Sequence, residues 1–417
     1  MSQSTRKTEA GKDAAGREPA ALRTFPMPRS CPMSPPDSYA ELREHEPVSR
    51  AALQVNGKPA WLITRFADLK QILGDSRVSA NLKLPGYPLQ VPVPDEVLQA
   101  VPLTFLSMDS PEHTVHRRML APEFSVRRIR ALRENVEQIV DHRINDLLAG
   151  SEPTDLVAAL AMPVPALVIC ELLGVPYADH EQFEIWSAQT MSRDIDDAAR
   201  GLAHQHLDTY VDNLVTAKET EPGDDMISRL IAKNREEPTV SHADIASMSR
   251  LMLIAGHETT ANMISLGVLT FLRHPELLAS ITAEPDLLPA AVEELLRHFS
   301  ISDSGTARVA MADIEIGDVT IKAGEGILPL NNAANHDPDV FTDPDRIDFH
   351  RAGRAHLAFG YGIHQCIGQN LARIELEIVY RRLFERIPSL RLAVPFEELR
   401  FKHDAMVYGL HALPVTW

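Results

Sequence analysis

The stretch from Ser241 to about Arg273 constrains this 417-residue chain more than any other feature. Ser241 followed three residues later by Asp244 resembles an N-terminal helix cap, and Pro275 lies just past the far end. About 30 helical residues at 1.5 Å each span roughly 45 Å, enough to cross the whole molecule. Leu251–Ala255, in the middle, is apolar on every face, so this helix is expected to be central and wrapped by others. Helical patterns dominate from Glu112 to about Phe299, with breaks near Gly150, Pro176–Ala178, Pro222–Asp224 and Pro238. Short β-like segments follow: Ala307–Ala310, Asp313–Ile316, Val319–Ile321 and Gly326–Leu330. Upstream, Asn56-Gly57 between Val48–Val55 and Trp61–Thr64 signals a hairpin, and Phe66–Leu73 reads as a short amphipathic helix. The expected architecture is one mainly α domain over residues 25–417 with a small β-rich portion. Residues 1–24, polar and without a hydrophobic core of their own, are expected to form a disordered leader.

Bulk properties exclude several classes. A hydrophobic content of 44% supports a sizeable core. The three cysteines, Cys31, Cys170 and Cys366, form no Cys-x-x-Cys pair, which argues for a reducing compartment rather than a disulfide framework. No apolar run reaches the roughly 18 residues needed to span a bilayer. A cytoplasmic, monomeric protein is therefore expected. The net charge of −17 disfavours nucleic acid as a partner. One basic stretch departs from that average: His116, Arg117, Arg118, Arg127, Arg128, Arg130 and Arg133. Its plain reading is a solvated helix face.

Cys366 carries the strongest chemical signal. Gly360, Gly362 and Gly368 crowd it, and helix formers begin just behind it. Glycines permit tight turns and close approach to a bulky partner. A helix starting behind the sulfur aims free N–H groups at it, favouring thiolate over thiol. Such a lone cysteine suits a single axial bond to a soft or borderline metal. Two look-alike motifs fail: Gly360-x-Gly362 lacks a third glycine, since Gln365 occupies that position, and His257-Glu258 lacks a second histidine, since Ala261 stands there.

The segment Phe359-Gly-Tyr-Gly-Ile-His-Gln-Cys366-Ile-Gly-Gln-Asn-Leu-Ala-Arg373 resembles the haem-binding loop of the cytochrome P-450 family at every fixed position of that pattern. The resemblance implies the multihelical triangular-prism fold, haem b as cofactor, and Cys366 as the axial iron ligand, with Phe359, Gly360 and Gly368 shaping its loop. Ala255-Gly256-His257-Glu258-Thr259 on the long helix looks like the family's oxygen-activating pattern. It implies that Thr259 positions oxygen and a water and that Glu258 delivers protons. Ala255 and Gly256 would leave room beside the helix. The haem propionates would be held by His113, Arg117, Arg308 and His364. Glu294-Leu-Leu-Arg297 resembles the family's structural Glu-x-x-Arg, with Arg346 in Asp343-Pro-Asp-Arg346 as the third member of its buried network.

By the same resemblance the chain is a monooxygenase hydroxylating or epoxidising a medium-to-large apolar metabolite. Electrons would come from a small acidic ferredoxin, docked on the basic stretch, and an NAD(P)H-dependent reductase. The pocket would be lined by Leu84, Tyr87, Val91, Val93, Leu98, the 180–200 region, Leu253, Ala255, Ile301–Ser304 (Ile301 and Ser302 foremost) and the turn at Met406-Val407. A peroxide-driven oxygenase on the same fold, or a haem sensor or ligand carrier without turnover, are the rival readings. The pair Glu258 and Thr259 favours the dioxygen route.

Overall fold

A computed structural model describes residues 22–417, apart from 180, 183–184, 187–188, 190–195, 303–306, 352–354 and 404. The long helix forms as one continuous element, His242–Arg273. Ser241 and Asp244 close a reciprocal capping box: the Ser241 hydroxyl accepts from the Asp244 N–H, and the Asp244 carboxylate accepts from the Ser241 N–H. Every residue from Thr260 to Phe271 is buried. Helices Pro163–Leu173, Asp197–Thr220 and Gln369–Arg386 pack around it. The approach of Gln369–Arg386 depends on Gly267. A Cβ there would fall 2.0 Å from the Tyr380 hydroxyl, which donates to the Met263 carbonyl at 2.6 Å.

The β portion is a six-stranded mixed sheet in the spatial order Arg23–Phe25, Val48–Leu53, Pro59–Ile63, Gly326–Pro329, Arg308–Ala310, Val78–Ser79. Val48–Leu53 and Pro59–Ile63 pair antiparallel around Gly57 (φ +70°), as the Asn-Gly signal predicts. Phe66–Gly74 is the expected helix, with Phe66, Leu69, Ile72 and Leu73 buried. Arg23–Phe25 pairs parallel with Val48–Leu53. Arg23 and Thr24, assigned to the leader from sequence, therefore belong to the sheet, because a register partner is available at Ala51 and Ala52. Residues 1–21 of that leader lie outside the described residues.

The 80–104 segment contains one short helix, Asp95–Ala100. Among the described residues no helix is long and apolar enough to cross a membrane. The mainly α architecture with a small β-rich part agrees with the expectation from sequence.

Candidate active site

Cys366 lies one short step before the helix Gln369–Arg386. Its N–H donates to the Phe359 carbonyl at 2.8 Å, closing a tight loop in which Gly360 and Gly362 adopt φ of +69° and +76°. Gly362 is required for a second reason: a Cβ would meet the Leu73 carbonyl oxygen at 2.3 Å. The Arg373 guanidinium covers the Phe359 ring at 4.6 Å. Protein surrounds Cys366 closely enough that burial pushes its thiol up, yet its surface is accessible. These two facts agree for a side chain on the wall of an internal cleft. The N–H groups of Gly368 and Gln369, with Arg117 and Arg373, oppose the effect of burial without overcoming it. The helix terminus alone therefore does not make the thiolate; coordination to a metal would deprotonate it outright.

The proposed propionate partners gather around this loop. His113 is buried against His364, with ring centroids 4.2 Å apart. Neither ring nitrogen of His113 has a hydrogen-bond partner. Arg117 donates to the Gln365 carbonyl at 2.6 Å, and Arg308 to the Ala307 carbonyl at 2.8 Å; neither is paired with a carboxylate among the described residues. Burial, reinforced by neighbouring cations, lowers His113 to about 4 and His364 to about 3. A buried imidazole without a partner is costly; His113 in that state, gathered with two arginines that no carboxylate among the described residues neutralises and with His364 beside Cys366, fits a dianionic group. The residues present thus fit a haem, with His113, Arg117, Arg308 and His364 to hold its carboxylates and Cys366 its iron.

On the central helix, Leu251, Ile254, Ala255 and Thr259 remain accessible in the middle of a buried element. They form one stripe at helical spacing. Leu253 lies off that stripe and is fully enclosed in the core, which corrects its assignment to the pocket. Gly256 backs onto Ile169, where a Cβ would make an ordinary contact at 3.5 Å, so its missing side chain faces a neighbouring helix rather than a ligand. The Thr259 hydroxyl donates to the Ala255 carbonyl at 2.8 Å. Glu258 is buried and paired with Lys402 Nζ at 2.8 Å, and Lys402 also reaches Asn262 Oδ1 at 3.2 Å. Sequence reading missed Lys402; 144 residues separate it from Glu258, with no local pattern linking them.

Glu294 and Arg297 make the expected bidentate pair, both contacts at 2.8 Å. The third member is Arg351, not Arg346. Arg351 Nε lies 3.1 and 3.2 Å from the two Glu294 oxygens, whereas Arg346 is exposed and contributes only its carbonyl, to Arg297 and Arg351. Asp343 adopts φ +48°, and its carbonyl accepts from Arg351 at 3.1 Å. Glu293 anchors a parallel network. Burial would raise its carboxyl, but hydrogen bonds from His356 and Arg373 hold it down at about 2.

The remaining pocket candidates are dispersed. Leu84, Tyr87, Val91, Val93, Leu98, Ile301, Ser302 and Val407 are half-buried, and Met406 is exposed. Tyr87 lines a small separate cleft with Arg50, Lys58 and Trp61. Much of 180–200, and Ser304, fall outside the described residues. Of the basic stretch, Arg128 pairs with Asp224 and Glu123, Arg133 with Glu377 and Glu137, and His116 stands 3.6 Å from Asp244. Arg118, Arg127 and Arg130 are exposed and unpaired among the described residues.

The family model for cytochrome P450 matches residues 175–388. The chain is 46% identical over 402 residues to pentalenic acid synthase of Streptomyces avermitilis, covering 96% of this chain and 99% of that one. The chain is a cytochrome P450. This P450 is also 43% identical to the 20-oxo-5-O-mycaminosyltylactone 23-monooxygenase of Streptomyces fradiae, covering 97% of this chain and 94% of its relative. Among solved structures, cytochrome P450 MoxA of Nonomuraea recticatena superposes with a TM-score of 0.90 at 50% identity, covering 94% and 98% of the two chains. The P450 is accordingly a monooxygenase, and the family implies a haem cofactor.

Proposed function

We infer that this P450 binds haem b through Cys366 and inserts one oxygen atom from dioxygen into a C–H or C=C bond of a medium-to-large apolar metabolite, acting as a cytoplasmic monomer. The observation that carries this is the cluster of His113, Arg117, Arg308 and His364 beside Cys366, in which neither arginine is paired with a carboxylate among the described residues and His113 has no hydrogen-bond partner. Bound haem supplies dioxygen activation, and thiolate ligation favours O–O cleavage, an effect for which P450s are the standard example. The relative named for 23-monooxygenation of 20-oxo-5-O-mycaminosyltylactone supports a metabolite substrate. The reduced protein with carbon monoxide is expected to show the strongly red-shifted Soret band of a thiolate-ligated haem. A band like that of histidine-ligated haem would refute the role of Cys366.

The protein's own groups divide the remaining work. Thr259 spends its hydroxyl proton on the Ala255 carbonyl, which leaves its oxygen lone pairs free to accept from a water in the cleft. Glu258, held by Lys402, is the adjacent acid that exchanges protons with solvent. Lys402 is itself partly exposed and so stands between Glu258 and bulk water. Thr259→Ala is expected to uncouple electron consumption from product and release peroxide, with coupling falling by about an order of magnitude. Equal coupling in variant and parent would remove Thr259 from the mechanism.

Electrons are taken from a small acidic ferredoxin served by an NAD(P)H-dependent reductase. The docking charge is carried by Arg118, Arg127 and Arg130, since Arg128 and Arg133 are already neutralised by carboxylates. The reduction rate by an acidic ferredoxin should fall as salt rises, and an Arg127→Gln/Arg130→Gln double variant should flatten that slope. Salt-independent reduction of the parent would exclude this surface.

A further inference from the structure

A cleft of about 440 Å³ lies between the stretch Phe25–Arg29 and the residues His403, Ala405, Met406 and Tyr408. Met27, Ile301 and Met406 contribute apolar walls, while Arg29, His403 and Tyr408 supply polar groups. Arg29 is held in a defined pose. Its guanidinium lies over the Tyr408 ring at 4.1 Å, and one of its N–H groups donates to the Ser34 carbonyl at 2.6 Å. The platform is itself fixed: the Tyr408 hydroxyl donates to the Pro32 carbonyl at 2.8 Å, and its ring stacks on Phe401 at an interplanar angle of 11°. The Tyr408 N–H donates to the Ile301 carbonyl at 2.8 Å, tying two walls of the cleft together.

No carboxylate pairs with Arg29 among the described residues, although the chain carries 58 Asp and Glu against 41 Lys and Arg. A planar fork with most of its donors unused, fixed beside apolar walls, matches a carboxylate in two-point geometry. Partial exclusion of water by those walls strengthens the attraction. The volume falls within the range of small-molecule sites. We propose that this cleft receives an amphipathic substrate whose carboxylate is bound by Arg29 and whose apolar body lies against Ile301 and Met406. The proposal rests on the reading of those two residues as substrate-lining.

The test uses the haem-loaded full chain, titrated separately with dodecanoate and with methyl dodecanoate while the substrate-induced shift of the haem spectrum is followed. Dodecanoate is expected to bind at least about tenfold more tightly than the ester, the effect of one charge-assisted contact. Arg29→Gln should abolish that preference while leaving the ester's Kd in place, and Arg29→Lys should retain part of it. Equal Kd values for acid and ester in the parent, or equal weakening of both by Arg29→Gln, overturn the carboxylate role and leave the apolar pocket standing. A spectrum shifted by neither ligand overturns the carboxylate role and the substrate-lining assignment together.

Discussion

Arg351→Ala is expected to destabilise this P450 by about 3–5 kcal/mol, whereas Arg346→Ala should stay within about 0.5 kcal/mol of the parent. Glu294 and Arg297 are almost completely buried, and the Arg351 side chain is 11% exposed. Removing Arg351 leaves Glu294 with one counter-charge instead of two. It also strips donors from the carbonyls of Thr342, Asp343 and Arg346. Arg346 offers the network only its backbone, which an alanine keeps. Denaturant midpoints of the two variants, read together with haem retention, check the contrast. Equal losses in both variants would mean that the ion pair is not what this loop contributes.

Glu375 provides the second large effect, and its sign depends on pH. The side chain is buried between the central helix and the helix Gln369–Arg386, with Thr260 as its hydrogen-bond partner and Oε2 unsatisfied. Burial raises its carboxyl to about 8. The folded state therefore keeps a proton that the unfolded chain releases above the ordinary carboxylate value of 4.5. Stability falls as pH rises from 4.5 to about 8 and levels off beyond, a total of roughly 5 kcal/mol at most. Glu375→Gln is permanently neutral and close in shape. It should match the parent near pH 4.5 and exceed it by a growing margin up to pH 8. Denaturation at several pH values measures that margin, and a pH-independent difference would show that Glu375 is not held protonated.

What the sequence makes legible is local. The loop at 359–373 can be read because its glycines, its cysteine and the start of its helix lie within fifteen consecutive residues, and the positive φ of Gly360 and Gly362 belongs to that local backbone, whereas the contact of Gly362 with the Leu73 carbonyl does not show in it. The Glu294–Arg297 pair is legible for the same reason, as i and i+3 share a helix face. Its third partner is not, because the choice between Arg346 and Arg351 depends on the path of a coil through Asp343, which no periodicity reports. The charge of the basic stretch is visible in sequence. Which of its arginines are spent on Glu123, Asp224, Glu137 and Glu377 depends on contacts up to 244 residues apart. Glu375 sits in a run of ordinary helix formers, and only the packing of Gln369–Arg386 against the central helix shows that it is buried. Leu253 and Ala255, two residues apart, illustrate the same limit: an all-apolar stretch does not declare which side meets the cleft and which meets the core.

Lys402 and Tyr408 stand on one turn, six residues apart, the first holding the acid beside Thr259 and the second forming the floor under Arg29. The chain therefore leads directly from the proposed recognition surface to the partner of the proposed proton donor. A ligand that moved Lys402 would alter the counter-charge felt by Glu258. By the reciprocity of linked equilibria, the Glu258–Lys402 pairing would alter the grip on the ligand to the same degree. An empty cleft and a filled one would then differ in their readiness to transfer protons, so that reactivity is tied to occupancy through a few residues of backbone.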